Sequence, residues 1–383
     1  MANTLTGLIP DFYKSFQIVS RELVGFIPAV TLDPDAARAA VGQQIKDYKT
    51  RTAAAVDIVP GMEVPDAGDQ TVDPAQFTIT KSRMVQIRWT GEEERALAAG
   101  HTASAIRVKQ IAQAMRTLTN EMEADLAGLY TRASRAYGTP GTTPFGTAGD
   151  YSDGAQVLKI LQDNGAPQSE MSLVLNTAAG ANIRGKQADA DKVGTANILR
   201  QGVLDDRHGF MLRESAQVKT HTKGTAAGAT TNAAGYAVGA TTITLAAAGT
   251  GTLVAGDVVS FAGDPNKYIV ASGDTNVADG GTITLAAPGL MQAIPAAATA
   301  ITVANGGPRM LAFPRSALVL ATRLPSLPAD GDKAVDRTTV TDPVSGISFE
   351  VALYPGFRQM NWTIGAAWGV YAANPEHVAT LLG

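Results

Sequence analysis

Four histidines are the first residues of this chain whose type could do chemistry, and they are widely scattered, at His101, His208, His221 and His377. None lies in an HExxH zinc motif, and the chain has neither a GxSxG nucleophile elbow nor a GxxxxGK[ST] phosphate loop. The absence of cysteine excludes disulfides, zinc–thiolate sites and thiol catalysis. No nucleophile, base and oxyanion site assemble from these residues, so we expect neither an enzyme nor a cofactor.

Three acidic segments have residue types that bind cations. The segment "DDRHG" at 205–209 could bind a metal, but a turn between two elements uses the same residue types. The loops "VPDAGDQTVDP" at 64–74 and "DGDKAVDRTT" at 330–339 could hold calcium, yet neither has the EF-hand spacing. A turn and two solvated loops are the favoured interpretations, and no metal is expected.

Composition limits the class of protein. The chain has 383 residues, too many for one ordinary core, and only 17% of them are charged. So low a charge content fits a protein that hides much of its surface against partners. The net charge of −4 comes without a basic stripe, which argues against a nucleic-acid reader. The start lacks the pattern of a signal peptide and no run of eighteen apolar residues occurs, so we expect a cytoplasmic protein without a transmembrane span.

Residues 1–46 are predicted to form an amino-terminal arm. Hydrophobic residues recur at spacings of three and four between residues 10 and 27, which indicates an amphipathic helix that includes Phe12 and Phe16. This helix either docks on its own core or lies across a neighbouring subunit. In the second case Phe12 and Phe16 are candidate subunit contacts.

Residues 47–90 are predicted to form a long two-stranded ribbon. Extended segments flank a tip rich in Pro, Gly and Asp, and charges interrupt both faces of the second strand. Such a ribbon is marginal by itself and needs another surface to pack on. Glu63 and Asp66 in the tip are therefore candidate subunit contacts. Lys81 and Arg83 on the second strand are candidates as well, with salt bridges between subunits as their expected role.

A long helix is predicted to follow the ribbon. Thr90 is a suitable N-cap, and apolar residues then recur at three and four along one stripe. We expect this stripe to pack on a sheet built partly from residues 347–353 and 360–364. Gly100 falls inside the helical pattern, where a glycine costs about 1 kcal/mol relative to alanine. It is either a candidate hinge or the boundary between a short capping helix and the main one.

The phrase "TTITLAAAG" at 241–249 is nearly repeated as "GTITLAAPG" at 281–289. Short strands bounded by Gly, Asp, Asn or Pro recur through this region, which indicates a small barrel or sandwich. Two copies are too few for a solenoid, so we interpret the phrases as equivalent strands of one module. We expect residues 223–308 to form an inserted β-barrel domain that divides a mixed α/β body into residues 91–222 and 309–383.

The order of elements and several local phrases together resemble a known family. After the barrel, apolar residues 308–325 are interpreted as helical, and two or three strands close the chain. The phrases are "SLVLNTAAGANIRG" at 172–185, "ILRQGVLDDRHGFMLRES" at 198–215, "TLVAGDVVSFAG" at 252–263 and "LAFPRSALVLATRLP" at 311–325. They and the order of elements resemble the major capsid (coat) protein of tailed bacteriophages, in the short-tailed-phage branch that carries an inserted barrel.

The resemblance implies an α+β tailed-phage major capsid fold with an N-terminal arm, an extended loop, a spine helix, and peripheral and axial domains. It implies pentamers and hexamers of the chain in an icosahedral shell that encloses double-stranded DNA, contacted without sequence specificity. Scaffolding and portal proteins are the implied partners, and the virion is the implied location after assembly in the host cytoplasm. In this setting Gly100 would be a switch point for shell expansion.

Three further classes of protein stay open at this point. Encapsulin compartments share the capsid fold, so an encapsulin-like shell protein is the nearest rival. The inserted barrel favours a phage. A secreted adhesin with a β binding module and a soluble hydrolase are also compatible with the sequence, but the missing signal-peptide pattern argues against the adhesin.

Overall fold

A computed structural model describes residues 24–50, 57–58, 72–98, 103–186, 204, 206–342 and 345–383. The helices within these ranges are α1 (Gly91–Ala98), α2 (Ala103–Ala127), α3 (Ser152–Asp163) and α4 (Thr177–Lys186). The strands within them are β1 (Thr31–Ala39), β2 (Gln44–Thr50), β3 (Val72–Thr78), β4 (Lys81–Thr90), β5 (Arg135–Tyr137), β6 (Met171–Leu175), β7 (Phe210–Glu214), β8 (Thr220–His221), β9 (Thr242–Thr244), β10 (Val258–Phe261), β11 (Lys267–Ser272), β12 (Thr282–Leu285), β13 (Ile301–Val303), β14 (Gly307–Pro314), β15 (Leu318–Pro325), β16 (Asp336–Thr341), β17 (Ser348–Gly356), β18 (Gln359–Ala372) and β19 (Ala379–Leu382). The expected α+β class is confirmed.

The strands form two large sheets and one separate ribbon. A six-stranded sheet, here called the spine sheet, has the order β1-β15-β18-β17-β16. Its sixth strand, β4, pairs with the edge of β18 that lies opposite β17. An eleven-stranded sheet, here called the long sheet, has the order β13-β10-β11-β5-β19-β14-β6-β7 with three further strands attached to it. The ribbon consists of β2 and β3, which pair with each other.

Helix α2 lies between the two sheets, and its apolar stripe forms the centre of the main core. The buried residues of the stripe are Ile111, Met115, Leu118, Met122 and Leu126. One continuous cluster joins them to Phe349, Val351 and Ile364 of the spine sheet and to Leu311 and Phe313 of the long sheet. The predicted packing of this helix on residues 347–353 and 360–364 is confirmed.

The other face of the long sheet is covered by α3 and α4. Their buried residues Val157, Leu161 and Ile183 pack on Leu173 and Leu175 of β6. Because β6 and β14 are covered on both faces, nearly all their residues are buried, and their sequences do not alternate between apolar and polar residues. The body is therefore layered as helices α3 and α4, the long sheet, helix α2 (here called the spine helix) and the spine sheet.

The predicted N-cap at the start of the first helix is confirmed. The Glu93 backbone N–H donates to Thr90 Oγ1 at 3.3 Å, and Glu93 Oε2 accepts from the Thr90 backbone N–H at 2.8 Å. This is a reciprocal capping box, which satisfies two backbone donors that a helix start leaves open.

The ribbon ends earlier than the sequence predicted. Its pairing runs from Thr50↔Val72 to Gln44↔Thr78, after which the chain turns away at Ile79. Residues 81–90, assigned by the sequence to the ribbon, form β4 of the spine sheet instead. The physical reason is that the apolar face of β4 is covered by the main core of this chain, which the alternating pattern alone cannot show. Likewise β1, within the predicted arm, pairs in parallel with β15.

The helical interpretation of residues 308–325 is wrong, because these residues form β14 and β15. Strand β14 lies between β19 and β6, and β15 lies between β1 and β18. Nearly every residue of both strands is buried. A strand covered on both faces has no alternation, and a short apolar run of this kind cannot be told from a buried helix by its period.

The two near-identical phrases within residues 223–308, a region here called the insert, pair with each other. Strand β9 lies antiparallel to β12, with Ile243 opposite Ile283. Both isoleucines are fully buried in a separate apolar cluster of the insert. The interpretation of the phrases as equivalent strands of one module is confirmed. The insert also continues the long sheet, because β11 pairs with β5 of the body. That residues 223–308 are an inserted β-barrel domain stays a prediction.

Candidate subunit-contact residues

Several of the residues that the sequence predicted as contacts or as a hinge lie outside the described residues. They are Phe12, Phe16, Glu63, Asp66 and Gly100. Their roles stay predictions. The structure places the remaining two, Lys81 and Arg83, at the start of β4.

Lys81 and Arg83 contact carboxylates of their own chain on helix α2. Lys81 Nζ donates to Glu121 Oε1 at 3.0 Å and to Asp125 Oδ1 at 2.8 Å. Arg83 Nε lies 3.4 Å from Glu121 Oε1. Partial burial acts to lower the pKa of Lys81, but the hydrogen bonds to Asp125 and Glu121 outweigh it, so the pKa is raised. The two cations thus tie β4 to the spine helix, and a contact with another subunit stays a prediction for them.

Asp125 connects this cluster to the core. Its Oδ2 accepts a hydrogen bond of 2.8 Å from the indole N–H of Trp368, which is fully buried. Lys81 Nζ lies 6.0 Å from the centroid of the same ring. The sequence had one local signal for the acidic side of the cluster, because Glu121 and Asp125 are four residues apart and share a helix face. Nothing local connects Asp125 to Trp368.

A buried carboxylate of α2 holds the point where the arm enters the body. Glu123 is fully buried and accepts hydrogen bonds from the backbone N–H groups of Gly25, Phe26 and Ile27 at 2.6, 2.7 and 3.0 Å. Burial raises the pKa of Glu123, and the three backbone N–H donors act against that shift. A Cβ on Gly25 would lie 2.6 Å from the Glu214 carbonyl oxygen, so only glycine fits there. Sequence reasoning missed this anchor.

A second buried polar cluster joins the insert to the end of the spine helix. His221 Nε2 lies 2.9 Å from Asp257 Oδ1, and the Tyr130 hydroxyl lies 2.9 Å from His221 Nδ1. Asp257 also accepts from the backbone N–H of Val254 at 2.8 Å. A Cβ on Gly256 would approach Tyr130 to 2.7 Å, so the insert makes a close backbone contact here. His221 is a satisfied structural histidine at this joint.

The acidic segments have structural partners where they are described. Arg207 and Phe210 exchange two backbone hydrogen bonds around His208, whose φ is +52°, so residues 207–210 form the favoured tight turn. Asp332 accepts hydrogen bonds from the Tyr354 hydroxyl, the Ala334 N–H and Arg337, which lower the pKa of Asp332 to about 2. Within the described ranges, no group of three His, Asp or Glu side chains is placed to hold a metal.

A polar hollow of about 440 Å³ lies beside the loop that precedes α3. It is lined by threonines together with Asp150, Asp153 and Lys267. Asp153 accepts from the Phe145 N–H at 2.7 Å, and Lys267 donates to the Gly138 carbonyl. These two side chains therefore stabilise the loop itself.

None of the described helices is long and apolar enough to cross a lipid bilayer.

No family model matches the chain, and no curated protein matches its sequence. Solved structures do resemble it. A structure titled "Mycobacterium phage Che8" has a TM-score of 0.46 at 12% identity, over 94% of this chain and 90% of the other. The capsid of Cyanophage P-SCSP1u has a TM-score of 0.48 at 9% identity, over 94% and 88%. The holo-SrpI encapsulin complex from Synechococcus elongatus PCC 7942 has a TM-score of 0.42 at 10% identity, over 93% and 85%.

Tailed-phage capsids predominate among these similar structures, as the resemblance of the sequence led us to expect. The TM-scores of these three structures are below 0.5, and their sequence identities are 12% or less. The assignment to the branch with an inserted barrel stays a prediction. The proposed function therefore rests on the geometry of this chain.

Proposed function

We propose that this chain is a structural shell subunit, the major capsid protein of a tailed bacteriophage, and that it has no enzymatic activity. Pentamers and hexamers of the chain would form an icosahedral shell around double-stranded DNA, with scaffolding and portal proteins as further partners. Assembly would take place in the host cytoplasm. The observation that carries the proposal is the ribbon β2–β3.

The ribbon pairs with itself and belongs to neither large sheet. Seven residue pairs run from Gln44↔Thr78 out to Thr50↔Val72, a length of about 20 Å at roughly 3.3 Å per residue step. A lone two-stranded ribbon is marginally stable in water, so it is stabilised best by another surface. A neighbouring copy of a shell subunit supplies such a surface.

The base of the ribbon is held firmly by the spine sheet. Phe77 stacks on Tyr371 with a centroid distance of 5.5 Å and an interplanar angle of 11°. Ile79 is fully buried, and the Thr80 N–H donates to the Trp368 carbonyl at 3.0 Å. A projecting element on a fixed base can present a defined surface to a neighbour at low entropic cost.

The test removes the outer ribbon and keeps its base. Residues 47–75 are replaced by Asn-Gly, a type I′ turn that suits strands ending at the paired residues Lys46 and Gln76. We expect this variant to unfold at the same temperature as the parent and to form no shells by negative-stain electron microscopy. The matched control replaces 47–75 with a Gly/Ser linker of equal length, which distinguishes the loss of ribbon contacts from the loss of chain length.

Shells of parental morphology from the Asn-Gly variant would show that assembly does not depend on the ribbon. A parent chain that stays monomeric, even when concentrated with a crowding polymer, would contradict the shell function itself. The contents of purified shells distinguish the two shell classes, because a phage head expressed with its packaging partners holds DNA and an encapsulin holds a protein cargo.

A further inference from the structure

The hairpin between β17 and β18 ends in two residues that turns normally avoid. Gly356 pairs with Gln359, so Phe357 and Arg358 alone form the loop. Phe357 is 89% exposed, and Arg358 has a φ of +54°, in the left-handed region that favours glycine or asparagine. Both features cost free energy in the isolated chain. Local rules broken together in this way are typical of a functional contact.

The tip is held in place before any partner arrives. The guanidinium carbon of Arg358 lies 5.7 Å from the centroid of the Phe357 ring. The Arg358 carbonyl accepts a hydrogen bond of 3.1 Å from the Gly91 N–H at the start of α1. The tip is therefore fixed relative to the acidic first turn of that helix, and little entropy is lost when it binds.

An open hollow of about 640 Å³ is lined by the tip itself, by Phe357 and Arg358. Met360 adds apolar surface beside the Phe357 ring, the mostly buried Trp89 lies behind it, and Glu92 and Glu94 lie on the acidic side of the hollow. Glu93, between them, is taken up by the capping box with Thr90. Within the described parts of the chain, no ion pair is formed by Glu92, Glu94 or Arg358.

We propose that the tip and the hollow that it lines form one two-fold contact between copies of this chain. Phe357 of one copy packs on Phe357 and Met360 of the other copy, and Arg358 pairs there with Glu92 or Glu94. Aromatic residues and arginine are the typical anchors of protein interfaces.

The occupant is a second copy because one patch of the molecule carries an exposed aromatic ring and groups of opposite charge, so the patch is complementary in charge to itself. The tip offers an aromatic ring and a cation, and the hollow offers apolar surface and two carboxylates. Since the tip and the hollow belong to one patch, the contact is isologous, and each copy places its tip in the hollow of the other. The inference rests on the proposed function, because a contact between copies presupposes a subunit of a larger assembly.

Sedimentation velocity over a range of concentrations tests the contact in the full chain. We expect Phe357→Ser and Arg358→Glu each to weaken self-association at least tenfold. The double variant Glu92→Arg/Glu94→Arg should show a similar loss. Combining it with Arg358→Glu reverses both charges and should restore most of the association. Met84→Ser is the matched control, since Met84 is 60% exposed on β4 of the same sheet and should leave association unchanged.

Parental association of Phe357→Ser, or a charge reversal that associates no better than Arg358→Glu, would overturn the contact. Electron microscopy of the same samples separates this inference from the proposed function. Normal shells from Phe357→Ser reject the contact and leave the shell function standing. Parental oligomers that depend on Phe357 but never close into shells support the contact and reject the shell. A parent that is monomeric at every concentration rejects both.

Discussion

Two pairs of a cation and an aromatic ring have nearly the same geometry and opposite surroundings. Lys81 Nζ lies 6.0 Å from the centroid of Trp368, and the Arg358 guanidinium carbon lies 5.7 Å from that of Phe357. Trp368 is fully buried, and Asp125 accepts hydrogen bonds from both Lys81 and Trp368. Phe357 is 89% exposed at a hairpin tip.

The difference shows how a contact within the chain is distinguished from a surface suited to another copy. The Lys81 ammonium and the Trp368 indole N–H both have acceptors in the same chain, so that cluster stabilises the fold. The Gly91 N–H fixes the backbone of Arg358, whereas the Arg358 guanidinium forms no ion pair within the described residues. The sequence directed attention to Lys81 and Arg83 as contacts, whereas the structure directs it to Phe357 and Arg358. Four predictions test this comparison by the free energy of unfolding.

The largest loss of stability is expected for a substitution in the interior, at Glu123. In Glu123→Ala the backbone N–H groups of residues 25–27 stay buried and lose their acceptor. We expect a loss of about 3–5 kcal/mol in the free energy of unfolding, measured by urea denaturation. Glu123→Gln keeps one acceptor oxygen and should lose clearly less. Equal losses in the two variants would mean that the anchor contributes packing and not hydrogen bonding.

Asp125→Ala breaks the interior pair itself. The indole N–H of Trp368 loses its acceptor in a buried position, and Lys81 loses one of two carboxylates. We expect a loss of about 2–3 kcal/mol in the same measurement. Asp125→Asn is the control, because its amide oxygen can still accept from the indole. A loss below about 0.5 kcal/mol in Asp125→Ala would remove the distinction between the interior and the tip.

Arg358→Gly should act in the opposite direction at the tip. Glycine adopts the φ of +54° without steric cost, so we expect the free energy of unfolding to rise by about 0.5–1 kcal/mol. Self-association should weaken in the same variant, because the cation is lost. Gain of stability with loss of association is the signature of a turn selected for contact. Loss of stability would show instead that the Arg358 side chain supports the hairpin.

The smallest expected effect is a pH dependence of the unfolding free energy, which distinguishes Lys81 from Arg358. The pKa of Lys81 is raised in the folded chain, so its contribution to stability is complete below the ordinary value of 10.5 and is lost as pH rises through the raised value. The difference in unfolding free energy between the parent and Lys81→Met, about 0.5 kcal/mol near neutrality, should shrink across this range. The matched difference for Arg358→Met should stay constant, because a guanidinium does not titrate there. A constant difference for Lys81 would mean that its charge contributes nothing.

Local features of the fold could be predicted because their causes are local. The capping box needs residues three apart, the stripe of α2 needs a spacing of three and four, and the strands of the insert are bounded by their own turn residues. The ribbon was predicted in kind for the same reason. Its end at Ile79 was not, because the apolar face of β4 is covered by residues far along the chain.

By itself, the sequence determined the α+β class, the helix that fills the core and the two equivalent strands of the insert, since spacing and turn chemistry act between near neighbours. Only the tertiary structure decided which charged groups are satisfied inside the chain. Glu123 binds backbone 98 residues away from it, and Asp125 binds an indole 243 residues away. It also decided which apolar side chains stay exposed: "YPGFRQM" signals a turn, but the exposure of Phe357 depends on how β17, β18 and α1 are packed together. Burial is set by packing between distant segments, and no local pattern contains it.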